Sequence, residues 1–253
     1  MNSLVALLLG LMQGLTEFFP VSSSAHLKLI KMFLGIKGVP VIFDLACHLG
    51  SLGALVWFFK AEVTRIFKSD RKKLRYLFVA LVPLVPSYFL LAPLRELVSK
   101  PEFLGTFMMG TGGILFAGQK LRIKKTGGPL RDALLIGAMQ SAALVPGISR
   151  SASTISAAQV LGWKPKDAVR FSFLLAIPTI MGGNFLEIAK LWKKGHVADL
   201  MNLHCFIGFA VSLFVGLLVI RFAIKWLERG KLKGFAWYCL AAGMLVNIYL
   251  YLK

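Results

Sequence analysis

Apolar and polar positions alternate along this chain in long blocks. Ten apolar segments can be drawn: Leu4–Phe19, Ser22–Leu34, Val41–Phe59, Leu74–Pro93, Phe103–Gly118, Leu130–Val145, Ser149–Leu161, Ala168–Ile188, Leu203–Trp226 and Phe235–Leu252. Their length and continuity predict helices, and a helix needs about 20 apolar residues to cross a bilayer. Six of them are read as full spans: Val41–Phe59, Leu74–Pro93, Phe103–Gly118, Ala168–Ile188, Leu203–Trp226 and Phe235–Leu252. Pro83 and Pro86 are expected to kink the second of these.

The other four segments form two short pairs. Leu4–Phe19 and Ser22–Leu34 are separated only by Pro20 and Val21; Leu130–Val145 and Ser149–Leu161 break at Pro146-Gly147. Each pair reads as a re-entrant helix–break–helix, which is tolerated at membrane depth only where protein or water surrounds the break. The layout is therefore one re-entrant pair plus three spans, twice over. Phe43 follows Pro20 by 23 residues and Phe171 follows Pro146 by 25. Three spans is an odd number, so the second copy enters the membrane inverted. The predicted fold is an all-α integral membrane protein, a single membrane domain over 1–253, with a first inverted repeat at 1–118 and a second at 130–253. Binding sites in such folds lie near the midplane, where the copies meet.

Composition agrees. The chain has 253 residues, of which 57% are hydrophobic, and a mean hydropathy of +0.72, more apolar surface than a soluble domain of this size can bury. The first apolar run lacks a basic leader and ends in Glu17, which argues against a removed signal peptide. The net charge of +19 sits in short loops and marks topology rather than nucleic-acid binding. Segments 60–75, 119–131, 163–170 and 225–233 hold 7, 5, 3 and 4 Lys/Arg, against 3, 2 and 3 in 28–40, 94–102 and 190–202. That bias puts both termini outside, although Lys190, Lys193 and Lys194 count against it. Cys47, Cys205 and Cys239 lie in apolar segments without metal or disulfide spacing.

The chemistry is concentrated at the two breaks. Gln13–Leu27 reads QGLTEFFPVSSSAHL and Gln140–Thr154 reads QSAALVPGISRSAST. Both begin with Met-Gln and an apolar run, reach a proline and turn serine-rich. Ser22 and Ser149 are expected N-caps of the second helix in each pair. Helix N-termini carry free N–H groups and partial positive charge, which suits phosphate. Two N-termini, the hydroxyls of Ser22, Ser23, Ser24, Ser149, Ser151 and Thr154, and the Arg150 guanidinium around one point make a phosphate or diphosphate site. Glu17 and His26 go beyond phosphate binding. Glu17 shares a helix face with Gln13, and His26 is spaced to reach the hydroxyl of Ser22 or Ser23; carboxylate, imidazole and hydroxyl together suggest acid–base or nucleophilic chemistry. The competing reading of Glu17 is a salt bridge to Arg150 that only locks the halves together. Asp44 and His48, four apart, are weighed as a metal pair against a structural or cavity-lining pair. Gly110, Gly112, Gly113 and Gly118 are expected to permit close helix packing.

At these residues the chain resembles the undecaprenyl-diphosphate phosphatases, the bacitracin-resistance membrane phosphatases. The resemblance rests on Gln13 to His26, on the Pro-Gly-x-Ser-Arg-Ser-x-x-Thr pattern from Pro146 to Thr154, and on Phe-Ser-Phe-Leu-Leu-Ala-x-Pro from Phe171 to Pro178, and it runs nearly end to end. It implies hydrolysis of a C55 polyprenyl diphosphate to the monophosphate and phosphate, recycling a lipid carrier for cell-wall synthesis. It also implies assistance by a divalent cation, Mg²⁺ or Ca²⁺, and a site facing outward across the plasma membrane. By position, Glu17, Ser23, His26 and Arg150 match the family's main active-site residues, with Glu17 also the metal ligand; Gln13, Ser149 and Thr154 match supporting ones. Gln13 stands where many members carry a second Glu, which leaves Glu17 to act more alone. Acid-phosphatase-like lipid phosphatases are excluded, because after Arg150 no His appears until His196. The partners expected are the polyprenyl diphosphate, the lipid bilayer and, as an alternative left open, a second copy in a homodimer; no nucleic acid is expected. The rival function is a transporter or flippase of phosphate-bearing polyprenyl lipids, since inverted repeats also build transporters.

Overall fold

A computed structural model describes residues 1–36, 38–121, 128–193 and 202–252. His196 and the loop cations Lys37, Arg122, Lys124, Lys125 and Lys194 lie outside these. Among the described residues the α-helices are α1 (Ser3–Thr16), α2 (Ser23–Phe33), α3 (Val41–Lys68), α4 (Arg71–Leu81), α5 (Leu84–Leu90), α6 (Ala92–Val98), α7 (Leu104–Lys120), α8 (Pro129–Ser141), α9 (Arg150–Val160), α10 (Pro165–Lys193), α11 (Leu203–Leu227) and α12 (Lys233–Tyr251); there is no strand among them.

Each of the ten apolar segments contains a helix. Five stretches are long and apolar enough to cross a membrane: Val41–Lys68, Arg71–Leu90, Pro165–Lys193, Leu203–Leu227 and Lys233–Tyr251. The sixth expected span is α7, which has 17 residues and so a length of about 25 Å at 1.5 Å per residue. The kink expected in the second span falls at Val82–Pro83, where the helical hydrogen bonding breaks while both residues keep helical backbone angles. α4 ends before Val82–Pro83, and Pro86 falls in the first turn of α5, where its missing N–H costs nothing. Charged ends lengthen others: α3 runs on to Lys68 through Lys60, Glu62 and Arg65. Glu62 there accepts from Lys73 at 2.5 Å and Arg170 at 3.3 Å, and Arg170 also reaches Glu228 at 3.0 Å. This network ties the basic ends of α3, α4, α10 and α11 together.

The surface is what an apolar solvent requires. Phe206, Phe214 and Trp237 are more than 60% exposed, on α11 and α12, which carry few charges. Inside, the main core runs through Phe18, Phe59, Phe173, Leu115, Ile136, Ile155 and Leu175 and joins α3, α7, α8, α9 and α10. Small residues set the closest approaches. A Cβ at Gly10 would lie 2.9 Å from the Gly208 carbonyl oxygen of α11, and a Cβ at Gly137 would collide with the Ala80 backbone of α4. Gly112 and Gly118 likewise face Ala236 and Ser156, whereas Gly110 and Gly113 face open space, so only two of the four glycines expected to serve packing do so.

Candidate active site

α1 and α8 both stop short of the prolines that follow them, and the chain turns at each break before α2 and α9 begin. The two breaks touch. The Ser151 hydroxyl, in the first turn of α9, donates to the Phe19 carbonyl oxygen at 3.3 Å, and the Cys239 thiol of α12 lies 3.8 Å from the Pro20 carbonyl oxygen.

Glu17 is the centre of the contact. It follows α1 directly, so its carboxylate projects toward the other half of the molecule. Oε1 accepts from Arg150 Nη2 at 2.9 Å; Oε2 accepts from the Ser23 hydroxyl at 2.6 Å and from Gln13 Nε2 at 2.9 Å. The glutamate side chain is 8% exposed and the arginine side chain 15%. The salt bridge between halves therefore exists, but it does not exhaust either partner. Arg150 Nη1 is buried with no hydrogen-bond partner, and so is Gln13 Oε1. Gln13 Nε2 also reaches the Ser51 hydroxyl at 3.3 Å, which anchors the amide against α3. A guanidinium with one nitrogen on a carboxylate and the other unclaimed can still take a phosphate oxygen.

Arg150 and Glu17 line a cavity of about 660 Å³, within the size range of small-molecule sites. Ser22, Ser23, Ser24, Ser149 and Ser151 are on its wall, as are His48, Gln140 and Thr179. Apart from Tyr88, most of the remaining wall is apolar and includes Leu81, Leu84, Val85, Phe89, Leu144, Ile148, Ile180 and Leu186. Three expected site residues stand behind the wall. Gln13 holds Glu17. Thr154 is fully buried and bonds to the Ser172 hydroxyl at 2.6 Å and the Arg150 carbonyl at 2.9 Å, fixing α9 against α10. His26 is the third.

The expectation that the His26 ring reaches the hydroxyl of Ser22 or Ser23 is not met. Its Nδ1 bonds to the Ser22 carbonyl oxygen at 2.8 Å and its Nε2 to the Tyr238 hydroxyl at 2.6 Å, with the two rings stacked 5.7 Å apart. A carbonyl can only accept, so Nδ1 carries a proton and, in the neutral ring, Nε2 accepts from Tyr238. The bond to Ser22 has a reason. Ser22 has φ 68°, ψ 91°, a left-handed conformation rare for a residue with a Cβ, and the only positive φ among described non-glycine residues. Such strain persists only where the surroundings impose it. For the same reason Ser22 is not the expected capping side chain; its hydroxyl lies 3.3 Å from Ser24 Oγ instead. Ser149 does cap α9, accepting from the Ala152 N–H at 3.2 Å, and its own N–H donates to Thr111 Oγ1 at 3.0 Å.

The side chains of Asp44 and His48 do not pair with each other. Asp44 takes Lys31 at 2.7 Å, while His48 Nδ1 bonds to the Asp44 carbonyl oxygen at 2.7 Å and leaves the ring on the cavity wall. Among the described residues no group of three His, Cys, Asp or Glu side chains could hold a metal ion.

Fold and site together define a multi-pass helical membrane protein with a buried carboxylate–guanidinium–hydroxyl site suited to an anionic headgroup. Residues 6–245 match the family described as bacitracin resistance protein BacA. Among the relatives, the undecaprenyl-diphosphatase of Protochlamydia amoebophila is 39% identical over 249 residues, which cover 96% of this chain and 97% of the relative. Those of Rubrobacter xylanophilus and Rhodopirellula baltica are 37% and 34% identical, covering 96% and 94% of this chain and 96% and 95% of the relatives. This chain belongs to the bacitracin resistance protein BacA family.

Proposed function

We propose that the cavity between the two breaks is where this enzyme, an undecaprenyl-diphosphate phosphatase, converts its substrate to undecaprenyl phosphate and inorganic phosphate. The observation that carries the site assignment is the sharing of Glu17: one oxygen on Arg150, the other on the Ser23 hydroxyl. Arg150 Nη1, the serine hydroxyls and the N-termini of α2 and α9 receive the diphosphate, and preorganised charge of this kind is the largest catalytic contribution in many enzymes. Ser23 Oγ attacks the terminal phosphorus while Glu17 Oε2 takes its proton. The bond from phosphorus to the bridging oxygen breaks, and Glu17 passes the proton to the departing lipid phosphate. Water then attacks the phosphoserine, giving a proton to Glu17, which returns it to Ser23 Oγ as phosphate leaves. His26 is a positioning residue: its Nδ1–H holds the Ser22 carbonyl and with it the strained turn that starts α2.

A divalent cation fits here in one way. The donors are hard oxygens, Glu17 and the unpartnered Gln13 Oε1, and Mg²⁺ commonly binds through one or two carboxylates with substrate phosphates completing its shell. Bound there, Mg²⁺ or Ca²⁺ would neutralise charge on the phosphate oxygens.

The inverted repeat is part of this proposal, and packing supports it. Gly10-Leu11-Met12-Gln13 and Gly137-Ala138-Met139-Gln140 occupy matching places before the breaks. Gly10 lets α1 approach α11, and Gly137 lets α8 approach α4. In this reading the helix pairs are re-entrant, α7 is the sixth span, and both termini are outside. The orientation agrees with the cavity. α10 begins at the basic end with Lys166 and Arg170, and reaches the cavity wall at Pro178 and Thr179, about 14 Å further along its axis. In this reading the cavity lies beyond the basic ends of the helices and serves the outer face. Val85 and Phe89 line it and are also about 60% exposed on the molecular surface, which gives the tail of the lipid a way out between α5 and α10. The flippase alternative has no support in the relatives, which are named for hydrolysis.

The test is phosphate release from undecaprenyl diphosphate by the purified protein in detergent, with and without a chelator. Release that stops on chelation and returns with Mg²⁺ or Ca²⁺ is expected. No release with either cation, combined with movement of the lipid across liposomes, would overturn the reading.

A further inference from the structure

On α10 the cavity wall is one stripe of the helix. Pro178, Thr179, Gly182, Gly183 and Leu186 recur at three- and four-residue spacings and line it together. Two adjacent glycines in the interior of this helix need a reason, because glycine weakens a helix interior relative to alanine. Close packing is not the reason. A Cβ at Gly10 or Gly137 would meet a neighbouring backbone, but a Cβ at Gly182 or Gly183 would meet nothing within 4 Å. Among the described glycines with that freedom, only these two are on the cavity wall. Both are also exposed at the molecular surface, so they stand where the cavity opens. Val85 and Phe89 of α5 share that double position. The opening is therefore apolar, with bare backbone on its α10 side. The other end of the cavity is polar, and there Arg150 Nη1 is buried with no partner. The shape calls for a ligand that is anionic at one end and hydrocarbon at the other. A cavity of about 660 Å³ holds a small molecule, so a C55 chain attached to a headgroup inside must leave through the opening.

We infer that Gly182 and Gly183 are specificity-determining residues that keep the opening between α5 and α10 clear for the first isoprene units of the substrate. Those units carry methyl branches and lie against the bare backbone of α10 while the diphosphate is at Arg150. The inference rests on the cavity being the phosphatase site. It gives the two glycines a task that packing does not. A side chain at either position would stand in the passage of the chain and leave the phosphate end of the cavity untouched.

The experiment is steady-state phosphate release from undecaprenyl diphosphate by the full-length protein in detergent, with inorganic diphosphate as a competing ligand that has no tail. The variants are Gly182→Leu, Gly183→Leu, Gly183→Ala and, as a control, Arg150→Lys. One methylene group in an apolar site is worth about 10–200-fold in discrimination, so the leucine variants should raise KM for the lipid about ten-fold or more. The inhibition constant of inorganic diphosphate should stay within twofold. The melting temperature should hold or rise, because leucine and alanine are better helix formers than glycine. Gly183→Ala should fall between the leucine variants and the unmodified protein. A second measurement reads occupancy directly. Undecaprenyl phosphate should slow the reaction of Gly183→Cys with a maleimide, and inorganic diphosphate should not; Cys47, Cys205 and Cys239 are buried. A rise in KM matched by the inhibition constant of inorganic diphosphate, with a lowered melting temperature, would mark a structural role and overturn the inference. If both leucine variants keep KM within twofold and the lipid does not protect Gly183→Cys, while Arg150→Lys loses turnover, the inference fails and the site assignment stands. If Arg150→Lys keeps turnover, the site assignment fails and the inference fails with it.

Discussion

Replacing Glu17 by Gln separates the chemistry of the site from its architecture. The change keeps shape and keeps an oxygen for Ser23 or Arg150, but removes the base and the counter-charge of Arg150. The pair it breaks is short, 2.9 Å, and both side chains are largely buried. Removing one partner of a buried pair costs about 3–5 kcal/mol, and the retained hydrogen-bonding oxygen places Glu17→Gln at about 3. For a chain of this size that corresponds to a fall in melting temperature of about 6–12 °C. Loss of a general base costs about 10²–10⁴-fold in turnover. Binding should behave differently, because the variant removes the counter-charge and leaves the full charge of Arg150 for phosphate. Inorganic diphosphate should therefore raise the melting temperature of Glu17→Gln more than that of the unmodified protein. The assays are phosphate release and thermal unfolding in detergent with a titration of diphosphate. Turnover within threefold of the unmodified protein would refute Glu17 as the base. An unchanged melting temperature with no added response to diphosphate would refute the buried pair with Arg150.

Three further outcomes are expected. His26→Asn keeps a donor for the Ser22 carbonyl and should retain most turnover, whereas His26→Ala should lose about 10²-fold, the cost of a reacting group misplaced by about 1 Å; equal loss in both would assign chemistry to the ring itself. Gly137→Ala forces a Cβ onto the Ala80 backbone and should cost about 1–3 kcal/mol of stability, while Gly113→Ala, which meets nothing within 4 Å, should be neutral or stabilising by up to about 1 kcal/mol; the same loss at both would refute the close approach of α8 to α4. In intact cells, an impermeant reagent should label a cysteine at position 99 but not one at position 69; equal labelling would contradict a repeat with an odd number of spans.

The helices were readable because bilayer physics imposes a coarse rule on composition, and each of the ten apolar segments contains one. Their ends were not. α3 continues to Lys68 because its last turns leave the apolar zone and are held by Glu62 ion pairs that no periodicity announces. The Glu17–Arg150 link was foreseeable as a competing role, since a buried carboxylate in a membrane needs a cation. The surroundings of His26 were not foreseeable. Its spacing from Ser22 and Ser23 marked the helix face, but the carbonyl rather than the hydroxyl of Ser22 takes Nδ1, and Tyr238, 212 positions away, takes Nε2. Ser22 carries the signature of a capping residue, yet its left-handed backbone turns that side chain aside. Thr154 sits in a serine-rich motif but faces Ser172, because one face of α9 packs on α10 while the other meets the cavity. Gln140 was visible as an echo of Gln13.

The most direct test of the Glu17–Ser23–Arg150 site is the rate of phosphate release from undecaprenyl diphosphate by purified Arg150→Lys. Lysine can keep an ion pair with Glu17 but cannot present a second donor in the fixed fork of a guanidinium. Turnover should fall by at least about 10²-fold, as for the loss of a preorganised donor to developing charge, while the melting temperature stays within a few degrees of the unmodified protein. Near-normal turnover in Arg150→Lys would mean that Arg150 only joins the two halves, and the phosphate site would have to be sought elsewhere.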